Sequence, residues 1–339
     1  MINILNFSSQ RYKNHAIYHN RNYENQLTAS NAFILCLKDL PFEDLDNLCK
    51  LLQKYYNAKN IPISLESCYQ ITQSYNTKDT ENLILTLAYE LVHSGKTLGS
   101  KERENNDGPS SLWLNHILLE AEVAEILAKK QGLDTDTAKK LALLHDIGRK
   151  FTHTPLHTIA GFEYLVDQGF YDEAFICLTH SFLCNEANIG QRCATSEPIT
   201  SSYFIEENQT PKLLLPSKRD DITTFLEKYK YNAYDTTINL ADSMASSMNI
   251  ITPYERIKEI EKKSPLNSTY KLALCNKFLT YIHNTQANDS TSQQEKRTLP
   301  KMSIDALDKT LYDISLLFME TTPEISQLQT TSKIEKTLK

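Results

Sequence analysis

Apolar residues recur at helical spacing along most of this chain. Between Asp44 and Tyr56, Leu45, Leu48, Leu51, Leu52 and Tyr55 follow one another at the intervals of a single helix face. Leu83, Leu87, Tyr89 and Leu91 repeat the pattern between Glu81 and Val92. The run Leu112 to Lys130 stops just before Gly132, which stands where a helix-ending glycine belongs. Asp134 is placed to N-cap the next run, which ends at His145-Asp146. Thr154-Pro155 offer an N-cap and a first-turn proline to a helix that carries His157 and ends near Gly169. Tyr171 to Phe182 carries His180, and Tyr234 to Ser247 carries Asp242, with a further helix over Asp220 to Tyr229 between them. Thr252-Pro253-Tyr254-Glu255 reads as a capping box, and Thr269 to His283 as the helix after it. Ser303 to Met319 aligns Ile304, Leu307, Leu311, Ile314 and Phe318 on one face. With no alternating strand pattern and no internal repeat, the expected class is all-α.

The breaks in this pattern suggest how the chain is divided. Residues 1–94 form an N-terminal helical region whose first 30 residues read as loop. A polar stretch with Gly95, Gly99, Gly108 and Pro109 marks 95–110 as a linker and the best domain boundary. A second domain is expected over 111–285, a further linker over 286–302, an amphipathic helix over 303–320 and a disordered tail over 321–339. The Pro-, Ser- and Thr-rich stretch 185–218 is longer than a simple connection and reads as a lid or an insertion. The helix at 303–320 either offers a surface to another molecule or packs back on the core; the sequence leaves oligomeric state open.

Composition adds mainly exclusions. Hydrophobic residues make up 40% and charged residues 23% of the 339, as in ordinary globular proteins. A net charge of −6 gives no basic field for nucleic acid or an anionic membrane. No apolar run is long enough to span a bilayer, and the start MINILNFSSQR lacks the pattern of a secretion leader, so a cytoplasmic protein is expected. Seven cysteines without a C-x-x-C pair fit reduced thiols. Cys177, His180 and Cys184 have ligand-like spacing for a thiolate zinc site, against the plainer reading of buried free cysteines.

The chemistry centres on His145-Asp146-Ile147-Gly148, which follows the apolar run Leu141 to Leu144. Burying two polar groups there is costly unless something compensates, and a metal ion commonly does. His116, His157, His180 and Asp242 lie on other helical segments, and helical bundles build inward-facing metal sites from such residues. Each alone also has a bland reading, as a core histidine or a helix-face aspartate. Glu120, one turn after His116, reads either as a group orienting the His116 ring or as a solvated carboxylate.

The order His116, His145-Asp146, Asp242 resembles the H…HD…D signature of the HD-domain superfamily of metal-dependent phosphohydrolases. The resemblance covers about 110–285, with LLHDIGRK as its most specific part. It implies an all-α HD-domain helical bundle, here with an additional N-terminal helical region. His157 and His180 make the chain similar to the dinuclear branch; no GYP motif follows, which argues against cyclic dinucleotide hydrolysis. By this resemblance His116, His145, Asp146 and Asp242 ligate one divalent ion, and His157 and His180 with a bridging Asp146 hold a second. Mn, Fe, Mg or Zn would suit such a nitrogen and oxygen set.

Asp146 and Arg149 are then the catalytic candidates, and Arg149, Lys150 and His153 the substrate-binding ones. A guanidinium at 149 can grip phosphate oxygens, although a cation near a helix end has a purely structural reading as well. The implied function is hydrolysis of a phosphoester or phosphoanhydride, of a nucleotide or similar small molecule, by metal-activated water. The alternative is a non-catalytic HD-fold module that binds a nucleotide or regulates a partner.

Overall fold

The computed structural model describes residues 27–74, 77–99, 112–152, 157–181, 229–263, 266, 268–287, 299–300 and 302–329. Among them the helices are α1 (Ala29–Leu37), α2 (Phe42–Ala58), α3 (Leu65–Gln73), α4 (Lys78–His93), α5 (Leu112–Lys130), α6 (Thr135–Leu144), α7 (His157–Asp167), α8 (Tyr171–Ala174), α9 (Ile176–Thr179), α10 (Ala233–Asp242), α11 (Pro253–Lys263), α12 (Ser268–Ala287) and α13 (Ile304–Thr321). The fold is all-α; apart from helices, an isolated antiparallel bridge joins Ala245 and Ile250.

Helix starts follow local chemistry. The side chains of Thr28, Ser64, Thr77, Asp134, Asn232 and Ser303 each accept a backbone N–H of the first turn, which satisfies a donor the helix cannot. Thr252 and Glu255 form the expected capping box, with Oε2 of Glu255 accepting from Thr252 N and Thr252 Oγ1 accepting from Glu255 N. Gly132 at φ +68 and Gly169 at φ +88 end α5 and α7 in the left-handed conformation.

Helix α5 is buried nearly all round and forms the centre of the bundle, with α6 and α10 packed on it. Helix α1 lies on α6. There the Cys36 thiol donates to the Leu143 carbonyl at 3.2 Å, and burial pushes that thiol up to about 12. One apolar cluster runs from Leu27 to Ile325. The region before residue 94 and the region after 111 are therefore two sequence segments packed around a common core, and Leu98 in the expected linker is itself buried.

Two expectations change. The described residues of the segment expected as one helix over Tyr171 to Phe182 form two short helices, α8 and α9. The tail expected to be disordered from 321 is helical over 323–329, because Ile325 is fully buried and Leu328 packs on the core. Helix α13 also packs back: Phe318 meets Phe278 and Tyr281 at ring separations of 4.7 and 5.4 Å. Buried Lys271 of α12 pairs with Glu261 of α11 and Asp308 of α13, and Lys258 reaches Asp308 at 2.5 Å. The stretch 185–218 lies outside the described residues.

Candidate metal centre

Five helices deliver the site. His116 and Glu120 are one turn apart on α5, His145 and Asp146 follow α6, His157 opens α7, His180 follows α9, and Asp242 ends α10. All seven are buried. His145 keeps helical dihedrals, whereas Asp146 at φ −104, ψ 12 leaves the helix for a 3₁₀ turn, Ile147–Lys150. Close approach of that turn to α7 requires a glycine. A Cβ on Gly148 would meet the His157 carbonyl oxygen at 1.8 Å, and one on Gly161 would meet Cys177 Sγ at 2.9 Å.

The imidazoles are aimed by their backbone contacts. Nδ1 of His116, His145 and His180 faces the carbonyl oxygens of Ala245, Ala142 and Ile176 at 3.1, 2.7 and 3.1 Å. A carbonyl only accepts, so each neutral ring carries its proton on Nδ1 and turns a bare Nε2 lone pair inward. This is how a protein presents histidine to a metal.

The inward Nε2 atoms surround Asp146. Its Oδ2 lies 3.5 Å from His145 Nε2 and 3.7 Å from His116 Nε2. Its Oδ1 lies 2.9 Å from His157 Nε2 and 3.5 Å from His180 Nε2. His116 Nε2 is also 3.3 Å from Asp242 Oδ1. Glu120 Oε2 stands 3.1 Å from His145 Nε2 and 3.5 Å from His116 Nε2. Ligand atoms of His116, Glu120, His145 and Asp242 lie within 4.8 Å of one another, as do those of His145, Asp146 and His180.

The electrostatics call for a cation. Both Glu120 oxygens, His145 Nε2 and Asp146 Oδ1 are buried with no hydrogen-bond partner. Burial, together with the charges of Asp242 and Asp146, pushes the Glu120 carboxyl well above its ordinary value. Burial would lower His145, but Asp146 and Asp242 outweigh it and hold the ring above its usual range. Burial and the Arg149 guanidinium pull His157 down to about 3, so that ring is neutral and ready to ligate. Burial likewise opposes the Asp146 charge, yet Arg149, His145 and His157 keep this carboxyl well below its ordinary value. Unpaired acceptors and lone pairs converging on a buried point form a donor set that fits divalent ions.

Other candidates take different places. Arg149 Nε contacts Asp146 Oδ2 at 2.5 Å, because residues three apart in a 3₁₀ turn are eclipsed. Lys150 is one residue round that turn and leaves the site. Its Nζ donates to the Leu35 carbonyl at 3.2 Å and sits 4.7 Å from the Tyr164 ring centre. The structure thus gives Lys150 a packing role against α1 where the sequence reading made it a substrate contact. His153 lies outside the described residues. Cys177 is a buried thiol whose Sγ donates to the Leu144 carbonyl at 3.4 Å, and burial raises it well above its ordinary value, which opposes a thiolate site. Cys184 lies outside the described residues.

The sequence reading missed a supporting layer on α10. Asn239 Nδ2 donates to the carbonyls of Thr179 and His180 at 2.9 and 3.1 Å, and Asp235 Oδ1 accepts from Thr179 Oγ1 at 2.7 Å. These bonds hold the turn that carries His180. The spacing of Asp235, Asn239 and Asp242, at i, i+4 and i+7 on one helix face, was the available signal.

Residues 113–202 match the family model of the HD domain, a family made up mostly of metal-dependent hydrolases. The chain carries an HD domain. The match includes His116, His145-Asp146, His157 and His180 of the HD domain and ends before Asp242, which the fold returns to the site. Neither a curated protein nor a solved structure matches the chain. No described helix is long and apolar enough to cross a membrane.

Proposed function

We propose that this chain is a dinuclear metal-dependent phosphohydrolase acting on a small phosphorylated substrate, with a nucleotide as the favoured class. The observation that carries this reading is the division of Asp146, whose Oδ2 faces His116 and His145 while Oδ1 faces His157 and His180. A carboxylate that meets different imidazoles through its two oxygens is suited to bridge two ions.

On this reading His116, His145 and Asp242 with one side of Asp146 would hold the first ion, and His157 and His180 with the other side would hold the second. Divalent cations there would supply Lewis acidity toward a phosphoryl oxygen and ease deprotonation of a water at neutral pH. The chain's own residues do the rest. The carbonyls of Ala245, Ala142 and Ile176 hold three rings in the ligating tautomer, and the apolar walls of α5 and α6 keep bulk water from the carboxylates. Arg149 spans from Asp146 toward solvent, with a quarter of its side chain exposed (25%). From there its guanidinium can meet phosphate oxygens and offset the charge that builds in the transition state. Mn, Fe, Mg and Zn all remain compatible with the donors.

The test is phosphate release from p-nitrophenyl phosphate, bis-p-nitrophenyl phosphate and a nucleotide panel by the metal-loaded full chain, alongside His145→Ala and Asp146→Ala. Metal-dependent release that both variants abolish is expected. Release that is absent throughout, or unchanged in the variants, defeats the reading.

A further inference from the structure

We infer that Glu120 is a direct oxygen ligand of the first ion, a donor outside the H…HD…D set. This rests on the metal centre proposed above. Two roles compete for a carboxylate beside a metal-binding histidine: it can accept the ring's N–H and orient it, or it can bind the ion itself. The tautomers decide between them. The N–H of His116 is directed to the Ala245 carbonyl and that of His145 to the Ala142 carbonyl, so neither ring has a second proton to give Glu120 when neutral.

Glu120 Oε2 therefore confronts two bare Nε2 atoms, at 3.1 Å for His145 and 3.5 Å for His116. Acceptor against acceptor at that separation is repulsive unless a proton or a metal cation sits between them. Glu120 is fully buried, and neither of its oxygens has a hydrogen-bond donor. A carboxyl so placed, charged or neutral, is costly in a helix core for packing alone, where Leu or Met would serve. A cation among His116, Glu120, His145 and Asp242 satisfies all four at once, and their ligand atoms are already close enough to share one.

The consequence reaches Asp146. With Glu120 as a further oxygen donor, the first ion would depend less on the Asp146 carboxylate, whose two oxygens face different imidazoles. Two imidazoles with three carboxylates, Glu120, Asp146 and Asp242, would also shift the first site toward harder ions, Mn²⁺ or Fe²⁺ ahead of thiophilic ones.

The experiment uses the full chain, stripped with a chelator and reloaded with Mn²⁺. Bound metal is counted after desalting and affinity is measured by calorimetry, for wild type, Glu120→Gln and Glu122→Gln. Glu122, on the same helix, pairs with His93 at 2.6 Å away from the centre. Glu120→Gln keeps the shape of the side chain but lacks the charge, so about tenfold or greater loss of affinity for one Mn²⁺ is expected, with Glu122→Gln unchanged. Equal stoichiometry and affinity in Glu120→Gln and wild type overturn the inference and leave the phosphohydrolase reading standing. Wild type that binds Mn²⁺ but releases no phosphate has the opposite result: the function falls and the ligand assignment survives. If Glu120→Gln does not fold, anomalous scattering from Mn²⁺-soaked wild-type crystals decides. A Glu120 oxygen in direct coordination of the ion supports the inference, and one held off from it by water or by other ligands contradicts it.

Discussion

Gly148 and His157 are in backbone contact: a Cβ on Gly148 would lie 1.8 Å from the His157 carbonyl oxygen and 2.5 Å from Gly161 N. The glycine lets the turn after Asp146 press against the first turn of α7, and this contact brings His157 Nε2 to 2.9 Å from Asp146 Oδ1. Gly148→Ala must therefore separate the two elements. Loss of about 3 kcal/mol or more of stability is expected, at or beyond the usual range for overpacking. Gly132→Ala is the control, since nothing stands within 4 Å of a Cβ there and only its φ of +68 resists; about 1 kcal/mol is expected. Urea denaturation of both variants measures the difference, and equal costs would refute the steric account.

The N-terminal region is fastened to the HD turn. Lys150 Nζ donates to the Leu35 carbonyl and Cys36 Sγ to the Leu143 carbonyl. Lys150→Met should cost about 1–2 kcal/mol of stability through the lost charged hydrogen bond. It should leave KM for a phosphoester unchanged. A raised KM with stability intact would return Lys150 to the substrate.

Arg149 should behave differently. Arg149→Ala is expected to lower kcat by about 10²–10³, as for loss of a group that meets transition-state charge, while the bound metal count stays at the wild-type level. Arg149→Lys should recover little, because a point charge cannot reproduce a planar fork. Steady-state kinetics with parallel elemental analysis separates this from a collapse of the centre, in which metal and activity would fall together.

The pairing of α11, α12 and α13 predicts an acid sensitivity remote from the site. Burial would raise the Asp308 carboxyl, but hydrogen bonds from Lys258 and Lys271 outweigh it and hold the carboxyl below its ordinary 3.8. A depressed carboxylate contributes stability above its unfolded value and loses it as pH falls through the folded value. Wild type should therefore lose more stability than Asp308→Asn on going from pH 4 to pH 3, and the two should run parallel above pH 5. Urea midpoints across that range check the sign.

How much of this was legible in the sequence depended on what each residue's neighbours in the chain reveal. Asp134, Gly132 and the Thr252 to Glu255 box mark helix ends because capping is decided within four residues, and α5 runs over Leu112–Lys130 as its periodicity indicates. His116, His145, Asp146, His157, His180 and Asp242 stood out as polar groups in apolar runs, and the fold brings them together. Glu120 stayed ambiguous because its burial comes from α6 and α10, which are distant in sequence. The contact of Lys150 with the Leu35 carbonyl was not legible, because its direction depends on a 3₁₀ turn and on α1. The helical residues 323–329 were missed because their apolar anchor, Ile325, makes sense only against the packed core.

The central claim is a two-ion centre divided across Asp146. Anomalous diffraction from crystals of the Mn²⁺-loaded wild-type chain tests it directly. Two ions about 3.5–4 Å apart, one beside His116 and His145 and one beside His157 and His180, with Asp146 between them, is the predicted result. A single ion held without His157 and His180, or no ion at saturating Mn²⁺, would contradict it.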